Sequence, residues 1–194
     1  MEAYVNEKLR VVFLAVFVWF CVSCAKQGTM THFTRQEIDP SYVKRVAVLK
    51  FENHTKEKHA GERLRDITTT EILAMGLFDV VDKALVSIIL QEETGGKAEA
   101  LDRITLKRIA KKLRVQGLII GSVDTYEDKR DRNYAYPVVA VTLRLIDGAS
   151  GQIIWQASGT ESGYSTTERL FGITPKDLSQ VSYLLVRRLL KTLK

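Results

Sequence analysis

No cysteine follows Cys24 in this 194-residue chain, so whatever folds beyond that point holds together by packing alone. The only other cysteine, Cys21, lies inside the apolar run Val11–Val22 (VVFLAVFVWFCV). That run is about a dozen residues long, whereas a membrane-spanning helix needs about 20. Its length is that of a signal-peptide core. Lys8 and Arg10 stand before it, in an n-region that also carries Glu2 and Glu7, and Ser23 separates it from Cys24.

A small residue followed by cysteine at the end of such a core resembles the bacterial lipobox. Val22 and Ser23 fit that pattern, and Cys21 occupies the place usually held by Leu. Cys21 itself follows bulky Phe20 and is the poorer candidate. The resemblance implies that residues 1–23 are removed and that Cys24 becomes the lipidated first residue of the mature protein. Cleavage then removes one cysteine and lipidation consumes the other, so no disulfide is expected. Each buried methylene of an acyl chain contributes roughly 0.8 kcal/mol to attachment, and stable anchoring takes more than one chain. Ala25 rather than Asp follows Cys24, which by the same resemblance favours the outer membrane, on its periplasmic face.

Removing residues 1–23 leaves about 171, a length that suits one domain. A hydrophobic content of 45% suffices for a core. The net charge of +6 survives processing, because the leader carries equal numbers of acids and bases. Such a surface can meet anions, or simply keep the protein soluble. An extracytoplasmic address argues against nucleic acid.

Residues Ala25–Tyr42 are polar and without helical or strand periodicity, so 24–44 reads as a lipidated tether, able to hold the domain roughly 60 Å from the membrane when extended, or, since Phe33 and Ile38 are apolar, to pack partly on the domain. The domain is expected over 45–194. Val46–Phe51 reads as a strand. A helix follows from Ala60 to Met75, with Ala60, Leu64, Ile67, Ala74 and Met75 on one arc. Glu71 falls on that same arc and must sit at its edge or be paired. Leu77–Asp82 reads as a strand, Lys83–Glu93 and Leu101–Arg114 as helices, and the apolar Gly117–Tyr126 as a central strand. Glu127–Asn133 is a charged hairpin tip. Val138–Ile146 alternates, with Val139, Val141, Leu143 and Leu145 on one face and Thr142 and Arg144 on the other. Asp147–Gly151 is turn chemistry, Gln152–Gly159 returns as a strand, and Lys176–Lys194 is a terminal helix with a leucine stripe. The order β-α-β-α-α-β-β-β-α predicts an α/β (α+β) fold with one mixed sheet packed by helices.

Catalytic chemistry is nearly absent from this inventory. His54 and His59, near Glu52 and Glu57, match no helical zinc spacing. Gly95–Gly96 lacks the Lys–Ser/Thr of a phosphate loop, and no Gly-x-Ser-x-Gly elbow occurs. Asp79 and Asp82 flank a strand end, where capping explains them better than catalysis. No enzyme activity, cofactor or metal is expected. Two surfaces are candidates for partner binding: the loop residues Tyr164, Arg169, Leu170 and Phe171, and Arg187, Arg188 and Lys191 beside the leucine stripe of the terminal helix. The cations of that helix also complement its negative C-terminal dipole.

Several segments together are similar to the CsgG-like curli-assembly lipoproteins: VAVLKFEN (46–53), MGLFDVVDK (75–83), IAKKLRVQGLIIGSV (109–123) and VTLRLIDGASGQIIWQASG (141–159). LpoB-like activators of penicillin-binding proteins and the N-terminal domain of TolB share that scaffold. Arg114 stands where such proteins commonly have Gly. The secretion channel of the family carries two long pore-forming segments. Here their places hold only Glu127–Pro137 and Gly163–Pro175, too brief for pairs of spanning strands of about 9–11 residues each. The resemblance therefore implies a non-catalytic periplasmic lipoprotein that binds other envelope proteins, with a curli-type channel subunit and a cell-wall-synthase activator as alternatives, and self-association into a homo-oligomer as an open possibility.

Overall fold

The computed structural model describes residues 28–37, 40–95, 101–131, 134–163 and 176–193. The leader and Cys24 lie outside these residues, as do Tyr164, Arg169, Leu170 and Phe171. The elements are β1 (Met30–Thr34), β2 (Arg45–Val48), β3 (Glu52–Asn53), α1 (Ala60–Ala74), β4 (Asp79–Val80), α2 (Lys83–Thr94), α3 (Arg103–Leu113), β5 (Gly117–Asp131), β6 (Tyr134–Asp147), β7 (Ile153–Ser162) and α4 (Leu178–Leu190). A 3-10 turn, Lys191–Leu193, closes the chain's last described stretch.

The strands form one seven-stranded mixed sheet in the order β1-β7-β6-β5-β2-β4, with β3 also paired to β5. Strand β2 runs parallel to β4 and to β5, while β5, β6, β7 and β1 are successively antiparallel. The step from β2 out to β4 and the return step past β2 to β5 run in opposite directions. Crossovers of one fixed hand then place their helices on opposite faces. Helix α1 accordingly joins α4 over Val46, Val48, Ile119, Val141, Leu143, Trp155 and Ala157. Helices α2 and α3 cover Ala47, Leu49, Leu118 and Ile146 from the other side. The predicted mixed sheet packed by helices is the observed fold, and the expected facing of Val139, Val141, Leu143 and Leu145 into the core holds, all four being buried.

Local chemistry explains the element ends. Asp82 caps α2 by accepting from the amides of Ala84 and Leu85, Asp102 caps α3 through Thr105, and Asp177 forms a capping box with Gln180 on α4. The capping role expected of Asp82 is thus observed. Asn53, which starts a glycosylation-like triplet, instead braces its own loop: its side chain accepts from the Thr55 amide and hydroxyl and donates to the Glu57 carbonyl. At Gly121 the Phe51 ring lies where a side chain would project, so the glycine of the GLIIGSV segment is a packing requirement. Glu71, the acidic residue on the apolar arc of α1, is 2% exposed and paired.

The tether expectation requires correction. Residues Met30–Thr34 are not free chain but a full edge strand, with Met30 opposite Gly159 and Thr34 opposite Trp155, and Pro40–Tyr42 forms a 3-10 turn. Periodicity did not announce β1 because its side chains are mostly exposed and its main-chain bonds to β7 do the holding. Strands β5 and β6 also run further than expected, pairing through Asp128–Pro137 to Asp131–Tyr134, so the charged segment 127–131 is hairpin arm rather than tip. The segment after β1 is pinned by Tyr42, whose hydroxyl donates to the buried Asp147 carboxylate at 2.8 Å.

Two predictions follow from this anchoring and capping. Arg114 has φ 53 at the end of α3, the left-handed conformation that glycine adopts without strain. Arg114→Gly is therefore expected to raise stability by about 1 kcal/mol in denaturant melts. The Tyr42 phenol is pushed up to about 12 by burial and by its bond and proximity to Asp147, from an ordinary 10.0. A group whose folded pKa is raised gives stability that is complete below the unfolded value and lost as pH rises through the folded one. Thermal melts should show the wild type losing, between about pH 10 and pH 12, an increment that Tyr42→Phe lacks at every pH.

Candidate protein-interaction surfaces

The cations of α4 are tied into the fold. Arg187 extends a fork to Glu71 on α1, Nε to Oε2 at 2.8 Å and Nη2 to Oε1 at 3.0 Å. The planar guanidinium matches the carboxylate edge in this bidentate geometry. Its hydrogen bonds and charge attraction to Glu71 raise the Arg187 pKa further. The partners differ in solvation: Glu71 is buried, while the Arg187 side chain is 55% exposed. Arg188 pairs with Glu161 on β7. Lys191 is exposed in the closing turn. Of the three basic residues expected to meet a partner, two therefore lock α4 to α1 and to β7.

The other charged groups follow the same pattern. Lys83 bridges Glu62 and Asp66, and its pKa is raised by hydrogen bonds to Asp66 and Glu62. Lys112 and Arg108 of α3 hold Glu93 of α2, keeping that carboxyl below its ordinary range. Arg65 is buried and donates from Nε to the Val48 carbonyl at 3.0 Å, and burial lowers its pKa. Among the described residues no group of three or more His, Cys, Asp or Glu side chains could hold a metal ion. His54 faces only Glu52, at 3.5 Å on an exposed loop.

One surface was missed by sequence reasoning. Helix α3 covers the second face of the sheet only at one end. Beyond it, Thr142, Arg144, Gln156, Ser158, Thr31 and Phe33 lie on one face, as the registers Thr31↔Ser158, Thr142↔Ser158 and Arg144↔Gln156 require, and among the described residues no helix covers them. Thr142 and Ser158 share a hydrogen bond at 2.9 Å, Arg144 donates to Gln156, and Phe33 is 50% exposed. A shallow hollow on this face is lined in part by Thr31, Asp124, Thr142, Ser158 and Thr160. The alternation that placed Thr142 and Arg144 opposite the core was its only sequence signal, and β1, which completes it, carried none.

With the mixed sheet and its helices on the page, comparison with known proteins gives a family. Residues 21–160 match the model of the peptidoglycan-synthase activator LpoB. The chain belongs to the LpoB family. That match runs from Cys21 into β7 and includes strands β1 to β6 whole. It corrects the CsgG-like assignment, which is not supported: the segments that carried the resemblance are strands, turns and the end of helix α3, parts of the scaffold rather than of a channel. Among solved structures, the PelC dodecamer from Paraburkholderia phytofirmans is similar at TM-score 0.59 and 23% identity, covering 86% of this chain and 96% of that one. Lipoprotein GNA1162 from Neisseria meningitidis is similar at TM-score 0.54 and 14% identity, over 77% and 96% of the two chains. The LpoB C-terminal domain from Salmonella enterica gives TM-score 0.46 and 18% identity over 60% and 81%. The PelC and GNA1162 matches show a shared fold, and the family rests on the sequence match. No curated protein matches the chain.

The asymmetric burial of the Glu71–Arg187 pair makes a prediction about α4. Arg187→Ala strands a buried carboxylate, whereas Glu71→Leu leaves a guanidinium that can turn to water and fills the space with apolar atoms. Thermal melts are expected to rank Arg187→Ala well below Glu71→Leu, and an equal or reversed ranking would contradict the clamp.

Proposed function

We propose that this protein is a non-catalytic, lipid-anchored envelope lipoprotein that activates a peptidoglycan synthase by binding it. The carrying observation is the family match over residues 21–160. The side chains support the same reading: Lys83, Lys112, Arg187 and Arg188 of the helices are occupied in structural pairs, while Lys107 and Lys111 of α3 stay exposed as surface for docking. The anchor in this proposal is Cys24, with residues 1–23 as the signal peptide and the outer membrane as the destination. The contact with the synthase is assigned to the loop bearing Tyr164, Arg169, Leu170 and Phe171, with Lys191 contributing a free-standing cation. The curli-channel alternative is not retained.

The test is reconstitution. The purified lipoprotein added to a bifunctional peptidoglycan synthase is expected to accelerate glycan-strand polymerisation severalfold, and Arg169→Glu with Phe171→Ala to remove most of that gain. Full stimulation by the loop double variant moves the contact elsewhere, and no stimulation of any synthase refutes the activator reading. In cells, Cys24→Ala is expected to abolish fatty-acid labelling and membrane fractionation.

A second reading concerns assembly. Among the described residues no strand pairs the outer edge of β1, which contains no Lys or Pro to guard it and presents Phe33 half-exposed. Such an edge is competent to recruit another chain, and the related PelC structure is a dodecamer. Native mass spectrometry of the lipoprotein in detergent decides whether it is a monomer or a closed ring.

A further inference from the structure

The long β5–β6 hairpin and the start of β1 lie at the same end of the sheet. Strand β1 pairs antiparallel to β7 with Met30 opposite Gly159, so the chain enters the sheet where β7 finishes. The amide of Thr160 donates to the carbonyl of Thr29 at 2.9 Å, which fixes Thr29 level with Thr160. Strand β6 passes that level at Ala140, the partner of Thr160, and continues outward paired with β5 to Tyr134 opposite Asp131. Strand β7 ends at Ser162 opposite Val138, and the amide of Gly163 still donates to the Pro137 carbonyl at 2.8 Å.

Two lengths can then be compared. From Ala140 to Tyr134 the strand rises at about 3.4 Å per residue, so the arm projects roughly 20 Å past Thr29. From Cys24 to Thr29 the chain reaches at most roughly 18 Å, even fully extended at 3.3–3.6 Å per residue. The projecting arm is therefore at least as long as the leash beside it. An acylated Cys24 sits at the bilayer surface, and a leash this short brings the arm to that surface.

The chemistry of the arm determines how far it goes. Glu127, Asp128, Lys129 and Arg130 are all exposed, and Lys129 lies 4.0 Å from Glu127. Charges of both signs are costly in hydrocarbon and well solvated among headgroups.

We infer that the β5–β6 arm stands on the phospholipid headgroups of the anchoring membrane and holds the domain upright, with the Asp147–Gly151 turn pointing away. This rests on lipidation of Cys24. It makes the contact a property of leash length rather than of intrinsic affinity for lipid. It also limits the protein's reach: β6 spans Tyr134–Asp147, about 45 Å along its length, so a partner must present its docking surface within roughly that distance of the same membrane.

The experiment uses the mature lipoprotein reconstituted in phosphatidylethanolamine/phosphatidylcholine vesicles that carry a headgroup-linked quencher. A fluorophore is placed on Lys129→Cys in one preparation and on Ala149→Cys, at the far end of β6, in another. The expected result is at least threefold stronger quenching at position 129. A linker of about 12 Gly/Ser residues inserted between Ala25 and Gly28 should erase that difference while vesicle binding persists. Vesicle-bound protein with equal quenching at both positions, or with a difference that survives the linker, overturns the standing-arm geometry. Protein that fails to bind vesicles with any label overturns the lipidation on which the inference rests.

Discussion

The β5–β6 ladder is the constraint around which the rest of the molecule is arranged. Gly117–Asp131 pairs with Tyr134–Asp147 along the whole of both strands, with one bulge near Asp124. On one side β5 accepts the parallel strands β2 and β3, on the other β6 passes the antiparallel run to β7 and β1. Remove this ladder and the parallel and antiparallel halves have no common edge. Parallel strands need long crossovers whereas antiparallel ones need only tight turns, which is why helices α1, α2 and α3 crowd the first half and the second half is a meander. The ladder outruns its neighbours at the hairpin end, so the same element that unites the core also supplies the projecting arm.

Polar groups inside this frame act as joints. Glu71 and Arg187 tie α1 to α4 across the first face, and Arg188 ties α4 to β7 through Glu161. The indole of Trp155, buried at the centre of that face, donates to Thr192 at 3.0 Å and so holds the closing turn. On the other side Lys112 and Arg108 join α3 to α2. Basic side chains that a sequence displays as a partner-seeking patch are here consumed by internal acids. Among the described residues Lys107 and Lys111 of α3 stay exposed outside these pairs, and a Ser/Thr-rich sheet face carries a shallow hollow.

Much of the fold was legible because periodicity and punctuation agree. The leucine stripe of α4, the alternation Val139–Val141–Leu143–Leu145, the DGASG turn and the capping aspartates each identify an element from a few neighbouring residues. The conflict at Glu71 was legible too, as a charge on an apolar arc, yet its partner lies 116 residues away and no local pattern names it. Strand β1 was illegible for the opposite reason. Its exposed side chains carry no alternation, and what holds it is main-chain pairing to β7, which any sequence can provide. Likewise the charged run 127–131 looked like a loop because strand character there comes from the partner strand, not from apolar side chains. The candidate loop contacts at Tyr164–Phe171 lie outside the described residues.

By itself the sequence determined that no cysteine follows Cys24 and that the domain mixes helices and strands, because each depends on residues close together or on simple counting. Only the tertiary structure decided that the tether is cut short by β1, that Arg187 answers Glu71, and that the arm and the start of β1 lie at one end of the sheet. Those facts depend on which distant segments pair and in what register, and register is a property of the assembled sheet rather than of any stretch of chain.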